Sequence, residues 1–208
     1  MSDDARDDTD SAIREALHRG DFAAAVTLAL DAHRAPLTAF VRSRLPSVAD
    51  ADEVMAEVSA ALWVALPRLQ LHTSMRGYLF QMARHAVSHH LAREVRRGRS
   101  LVPVEGLGSE ALGLGAVRTA TPQHLKTTNK DRIASLRAEL SEEEQLLLQL
   151  RVDRDLAFRE IAQAMAEPGV VLDEQSLTRA AARWRKRYQL TKERLRELAV
   201  ASCLLELD

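Results

Sequence analysis

Apolar residues recur every three or four positions along most of this chain, the spacing of helices that each bury one face. The clearest case runs from Met75 to Arg97, where Met75, Tyr78, Leu79, Met82, Ala83, Ala86, Val87 and Leu91 form one stripe. Beyond Met82 the outward positions become Arg84, His85, His89, His90, Arg93, Arg96 and Arg97. One helix is therefore expected to be core at one end and a cationic, hydrogen-bonding rod at the other. Just upstream, Val54, Val58, Ala61, Leu62, Ala65 and Leu66 make a second stripe, with Glu53 and Glu57 one turn apart on a different face, and Pro67 ends that helix. Trp63 falls off the stripe, either at the rim of a bundle or facing a partner. A third helix, from about Phe22 to Arg44, buries Phe22, Val26, Leu30, Leu37, Phe40 and Val41, and Pro36 is expected to end or kink it. Ser11 can cap a shorter helix to about His18, closed by Gly20 and Asp21. Residues 1–10 offer nothing to bury and read as a disordered acidic lead-in.

The pattern breaks at Gly98. Residues 100–123 contain four of the eight glycines and no helical stripe, and read as a linker able to reach about 80 Å at ~3.3 Å per residue. Its scattered leucines and valines fit either a segment that docks elsewhere or one that packs back on its own domains. From 124 to 208 helical spacing returns. A helix from about Lys126 to Leu140 buries Ile133, Leu136 and Leu140, and Ser141 with Glu144 has capping-box spacing ahead of Leu146, Leu147, Leu148, Leu150 and Val152. Asp153 and Asp155 interrupt. A short helix then turns Leu156, Phe158, Ile161, Ala162 and Met165 inward. After Glu167-Pro168-Gly169 comes a basic helix, Glu174 to about Ala199, with Leu177, Ala181, Trp184, Tyr188, Leu195 and Leu198 towards the core. Two short helices before a basic one spell helix-turn-helix. In that arrangement Gln175, Ser176, Thr178 and Arg179 would reach base edges, and Arg183, Lys186 and Arg187 would hold phosphates. The bland alternative is a solvated arginine face. The fold class is therefore all-α: two small helical domains, residues 11–99 and 124–208, joined by a flexible linker.

Composition agrees with helices on helices, since only 4% of the residues are aromatic while Ala, Leu, Arg and Glu abound. The net charge of -1 would argue against nucleic acid if it were evenly spread. It is not: acidic residues crowd the amino terminus and 50–57, and Arg and Lys concentrate at 84–99 and 179–196. A single cysteine, Cys203, excludes an internal disulfide, no apolar run reaches the ~18 residues of a membrane span, and the acidic start is unlike a signal peptide. A cytoplasmic setting is expected.

The run DADEVMAEVSAALWVAL, a short loop, and MRGYLFQMARHAVSHHLAREVRR resemble the second conserved region of bacterial RNA polymerase sigma factors, of the small extracytoplasmic-function (ECF) type. The resemblance implies that Asp50, Asp52, Glu53 and Glu57 dock on the clamp helices of the polymerase beta-prime subunit. The acidic cluster is equally explained, on local grounds, by the dipole of its own helix. It further implies that Tyr78, Arg84, His85, His89, Arg93, Arg96 and Arg97 open promoter DNA and read the minus-10 element. His85 stands where the family commonly has Asn, and His89 where it has Asp or Asn; imidazole can still donate, accept and stack. The carboxy-terminal third is similar to the family's fourth region, through Leu140-Ser141, Glu160-Ile161-Ala162 and the run from Leu177 to Arg196, which would bind the minus-35 element. Two features depart from the family: Ala157 stands where it usually has a capping Ser or Thr, leaving Asp155 to cap, and the turn AEPGVVLDEQS is longer than the family's. Core RNA polymerase, including its beta subunit, and promoter DNA are the implied partners, with an anti-sigma factor as a further candidate.

No cofactor, catalytic group or metal site is expected: there is no phosphate-cradling glycine motif and no nucleophile beside a base, and His85 and His89 lack a third ligand nearby in sequence. The competing function is a helix-turn-helix regulator or polymerase-associated protein without promoter-opening activity.

Overall fold

The computed structural model describes residues 3–45, 47–70, 72, 74–98 and 133–202; the expected linker and the expected start of the next helix at Lys126 lie outside them. Among the described residues the regular structure is entirely helical. Helix α1 spans Asp3–His18, so the acidic stretch read as a disordered lead-in is helical from Asp3 and does not wait for Ser11. On its inner face Ile13 and Ala16 are buried. Gly20, at φ 73°, closes the helix by returning its own amide to Leu17 and the next one to Ala16.

Helix α2 (Phe22–Arg42) starts on the Asp21 carboxylate, which accepts the Ala24 amide at 3.0 Å. It runs on through Pro36, which does not end it. The missing N–H and ring crowding cost about 3 kcal/mol. Leu37, Phe40 and Val41 in the next turn are fully buried, each stabilising by roughly 1.5–3 kcal/mol, and that outweighs the proline. Helix α3 (Val48–Ala65) is capped by Ser47 and buries Ala51, Val54, Met55, Val58 and Leu62, while Ala61 and Trp63 lie outside the core. A 3-10 turn, Leu66–Arg68, leads towards α4 (Met75–Arg96).

In the carboxy-terminal group, residues 133–138 form α5, with Leu136 buried but Ile133 half exposed, against expectation. The capping box of Ser141 and Glu144 opens α6 (Glu142–Leu148), and a π-helical turn, Gln149–Asp153, follows. Val152 on that turn is exposed while Leu150 is buried. Asp155 does not cap the next helix; it takes a positive φ of 51°, and α7 (Phe158–Ala164) begins on Ala157 with no side-chain cap of its own. Glu160 reaches back and accepts the Ala157 amide at 2.7 Å, the half of a capping box that needs no hydroxyl. The basic helix is α8 (Glu174–Ala201), capped by Asp173.

The two groups are packed on each other. Their apolar residues form one continuous cluster, from Ile13 through Phe40, Leu79 and Phe80 to Ile161 and Trp184. Helix α4 is the shared element, with α2 and α3 against part of its surface and α7 against another. Just past α2, Ser43 and Arg44 also meet the π turn: Gln149 donates to the Ser43 hydroxyl and accepts from the Arg44 guanidinium at 3.1 Å.

Candidate nucleic-acid interface

The acidic face of α3 is tied to the far half of α4. Arg93 forks between Glu57 at 2.7 Å and Glu53 at 2.9 Å. Asp50 lies 3.8 Å from His90, and Asp52 3.5 Å from Arg42 on α2. Asp52 and Glu53 remain exposed; Asp50 and Glu57 are half-buried. The four carboxylates thus form one ridge. His90, expected to face outward, is buried beneath it, because the helical turn that brings Arg93 over α3 also brings His90 inward. His89, Arg96 and Arg97 are exposed, Arg97 in contact with Glu94 at 2.9 Å.

The first half of α4 differs from the one-stripe expectation. From Met75 to Gln81 every residue is buried, Arg76, Gly77 and Gln81 included, since α7 covers the side that periodicity leaves to solvent. Tyr78 is 6% exposed. Arg84 lies along the end of α7, donating from Nε to the Ala164 carbonyl at 2.9 Å and from Nη2 to the Ala166 carbonyl at 2.6 Å. A cation there satisfies carbonyls the helix cannot and opposes its dipole. His85 Nε2 sits 3.0 Å from the same Ala166 oxygen and 2.8 Å from Arg84 Nη2. Tyr78, Gln81, Met82, His85, His89 and Glu57 line a groove of about 380 Å³ closed on one side by Pro168 and Gly169.

The contacts that place α7 here were not anticipated. Gly77 brings the two backbones so close that a Cβ would meet the Glu160 Cα and carbonyl oxygen at 3.0 Å. Ser74 donates to Glu160 Oε1 at 2.6 Å, and Arg76 donates to the carbonyls of Arg154 and Asp155. Gln81 donates to the carbonyls of Glu167 and Val170, and Gln163 donates to Gln81 Oε1 and to Val170 while accepting the Leu172 amide. These two buried glutamines define the long turn before α8. A glycine inside an otherwise helical pattern was the available signal, since it costs about 1 kcal/mol and commonly marks a close backbone approach.

On α8, Gln175, Thr178, Arg179, Arg183 and Lys186 are exposed, and Ser176 and Arg187 are half-buried. Arg159 of α7 reaches Glu174 and the Thr178 hydroxyl, and Arg187 lies 3.8 Å from Glu143. Trp184 and Leu177 anchor the opposite side in the core, and Arg185 stacks over Phe158, whose ring also packs edge-on against Tyr188. The start of α8 therefore offers hydrogen-bonding side chains and its middle offers cations, on a helix whose other side is buried.

An acidic ridge on α3, a cationic α4 crossing beside it and a second helical group bearing an exposed basic helix are now placed. Residues 29–97 match the family model of sigma-70 region 2. The matched region 2 thus takes in most of α2, all of α3 and α4, and with them the acidic ridge and the basic rod. No curated protein and no solved structure matches the chain. Among the described residues no helix is long and apolar enough to cross a membrane, and no group of three or more His, Cys, Asp or Glu is placed to hold a metal ion.

The seam carries a pH prediction. Burial holds the His85 imidazole below its ordinary value, Arg84 adds to the lowering, and the Ala166 carbonyl and Glu167 pull the other way without reversing it. Glu57 and His89 line the same groove. The lowered pKa means that the folded arrangement favours neutral imidazole, so its contribution is complete above roughly pH 6.5 and is lost as the pH falls from there through the lowered folded-state value. Hydrogen exchange across α7, corrected for intrinsic rates, is expected to be faster at pH 5.5 than at 7.5, and His85→Gln is expected to remove the difference. Equal protection at both pH values would refute it.

Proposed function

We propose that this chain is a sigma factor of the ECF type, which binds core RNA polymerase and directs it to a class of promoters. The observation that carries the reading is the match of region 2 over 29–97, followed in the same chain by a helix-turn-helix whose basic helix is exposed. The action is positional and non-covalent. The ridge of Asp50, Asp52, Glu53 and Glu57 docks on the clamp helices of the beta-prime subunit. Tyr78, Arg84, His85, His89, Arg93, Arg96 and Arg97 hold unpaired minus-10 DNA by stacking and phosphate contacts. Gln175, Ser176, Thr178 and Arg179 meet base edges of the minus-35 element, with Arg183, Lys186 and Arg187 on its phosphates. A sigma factor of this class works in the cytoplasm and needs no cofactor; an anti-sigma factor would be a natural further partner.

The test is run-off transcription with purified core polymerase and genomic fragments. Specific transcripts that depend on this protein are expected. Polymerase binding without any transcript would instead favour a helix-turn-helix regulator or polymerase-associated protein that does not open promoters. The engagement of Arg84 and His85 by α7 is the observation that favours this second reading.

A further inference from the structure

We propose that Arg151 and Arg185 form a second phosphate-holding flank of the helix-turn-helix, set against the DNA strand opposite the one that Arg183 and Arg187 meet. The inference rests on the reading of α8 as a duplex-binding helix and extends it to two cations outside that assignment. The π turn, the start of α7 and the middle of α8 converge on one ring. The Arg151 guanidinium lies over Phe158 at 5.1 Å from the ring centroid, and that of Arg185 at 5.3 Å. Tyr188 packs edge-on against the same ring at 5.8 Å, and Arg151 also donates to the Leu156 carbonyl at 2.8 Å. Among the described residues no carboxylate pairs with Arg185, and Arg151 has only Asp155, at 3.9 Å. The patch is therefore cationic, ordered and accessible, with Arg185 exposed and Arg151 half-buried.

The position of the patch around α8 decides its partner. At about 100° of turn per residue, Gln175, Arg179 and Lys186 fall within roughly 40° of one another and define the face that enters a groove. Arg183 and Arg187 stand roughly 60–100° to one side of that face, and Thr178 and Arg185 roughly 80–100° to the other. The second side is the one that α7 borders, since Arg159 donates to the Thr178 hydroxyl at 3.3 Å and Phe158 carries Arg185. A helix in the major groove, about 12 Å wide, runs between two phosphate backbones, so cations on one flank alone hold one strand. Arg151 and Arg185 supply the other. Stacking on Phe158 fixes both guanidinium planes before binding, so less side-chain freedom is lost when their N–H groups meet a phosphate.

Duplex binding of the full chain tests this, read by anisotropy with a labelled mixed-sequence DNA of about 30 base pairs over a salt series. Arg151→Gln combined with Arg185→Gln removes both charges at little cost in helix propensity. The slope of log affinity against log salt is expected to become shallower by about 1.8, at ~0.9 per phosphate contact, with binding at least about tenfold weaker near 100 mM salt. Arg185→Gln alone, at an exposed position, is expected to give about half of that change in slope. Arg183→Gln combined with Lys186→Gln is the reference pair for the face already assigned. A wild-type slope in the Arg151 and Arg185 variants beside a shallower slope in the reference pair overturns the second flank and leaves α8 as a duplex-binding helix. Weaker binding with an unchanged slope also overturns the flank, because that is the mark of a merely structural role. Absence of duplex binding by the wild type, or a wild-type slope in both pairs, overturns the reading of α8 itself and the second flank with it.

Discussion

Exchanging Glu53 and Glu57 together for lysine is expected to weaken binding to core RNA polymerase by about 100-fold, the scale of reversing charges that pair across an interface. The reason lies in how these carboxylates are held. Glu53 is exposed and Glu57 half-buried on one ridge of α3, and both are oriented by Arg93. The two carboxylates share one guanidinium, so the ridge keeps a net negative charge and presents fixed oxygens to a basic partner. Lysines there would lie beside Arg93 and turn the ridge cationic. The fold should tolerate this, because ion pairs as exposed as these contribute only about 0–1 kcal/mol each. Circular dichroism is expected to be unchanged and the melting temperature to fall by a few degrees at most. Asp52→Lys, which disturbs only the contact with Arg42, provides an independent arm and should weaken binding less. Wild-type affinity of the double variant in a pull-down or anisotropy titration would remove the assignment of this ridge to polymerase docking.

Phe80→Ala is expected to cost about 3–5 kcal/mol in urea unfolding, a large share of the roughly 5–15 kcal/mol that holds a domain together. Phe80 is fully buried and stacks edge-on against Phe40 at 5.4 Å, joining α4 to α2 beneath the proline-containing stretch. The same ring lies under the Arg76 guanidinium, which donates to the turn before α7, so the cavity left by alanine loosens both packings of α4. The carboxy-terminal helices should lose protection along with α2 and α3, because all contribute to one apolar cluster. A cost below about 1 kcal/mol, or loss of protection confined to α2, would show that the two groups do not share their stability.

Helical periodicity placed most elements within a few residues, and it did so because a 3.6-residue repeat is a local property of the chain. The capping box at Ser141 and the run to α8 were legible for the same reason. Two local rules misled. Acidic composition at residues 1–10 pointed to disorder, yet the helix begins at Asp3, continuous with a stretch in which Ile13 and Ala16 are buried. Pro36 was expected to end or kink α2, and the burial that follows it is a tertiary quantity. The start of α7 has no capping hydroxyl, and Glu160, a residue noticed in the sequence as part of a motif, turns back instead to accept the Ala157 amide.

By itself the sequence determined that the chain is helical, that acidic and basic residues are sorted onto neighbouring helices, and that the run from Met75 to Arg97 is cationic in its second half. Only the tertiary structure decided which of those cations are engaged, because that depends on partners about eighty residues away: Ala164 and Ala166 for Arg84, Ala166 for His85, Gln163 for Gln81. A periodic stripe identifies one buried face. It cannot report that a second face of the same helix is covered, since the residues that allow it, Gly77 and Gln81, are small or polar and acquire their meaning only when another backbone lies against them.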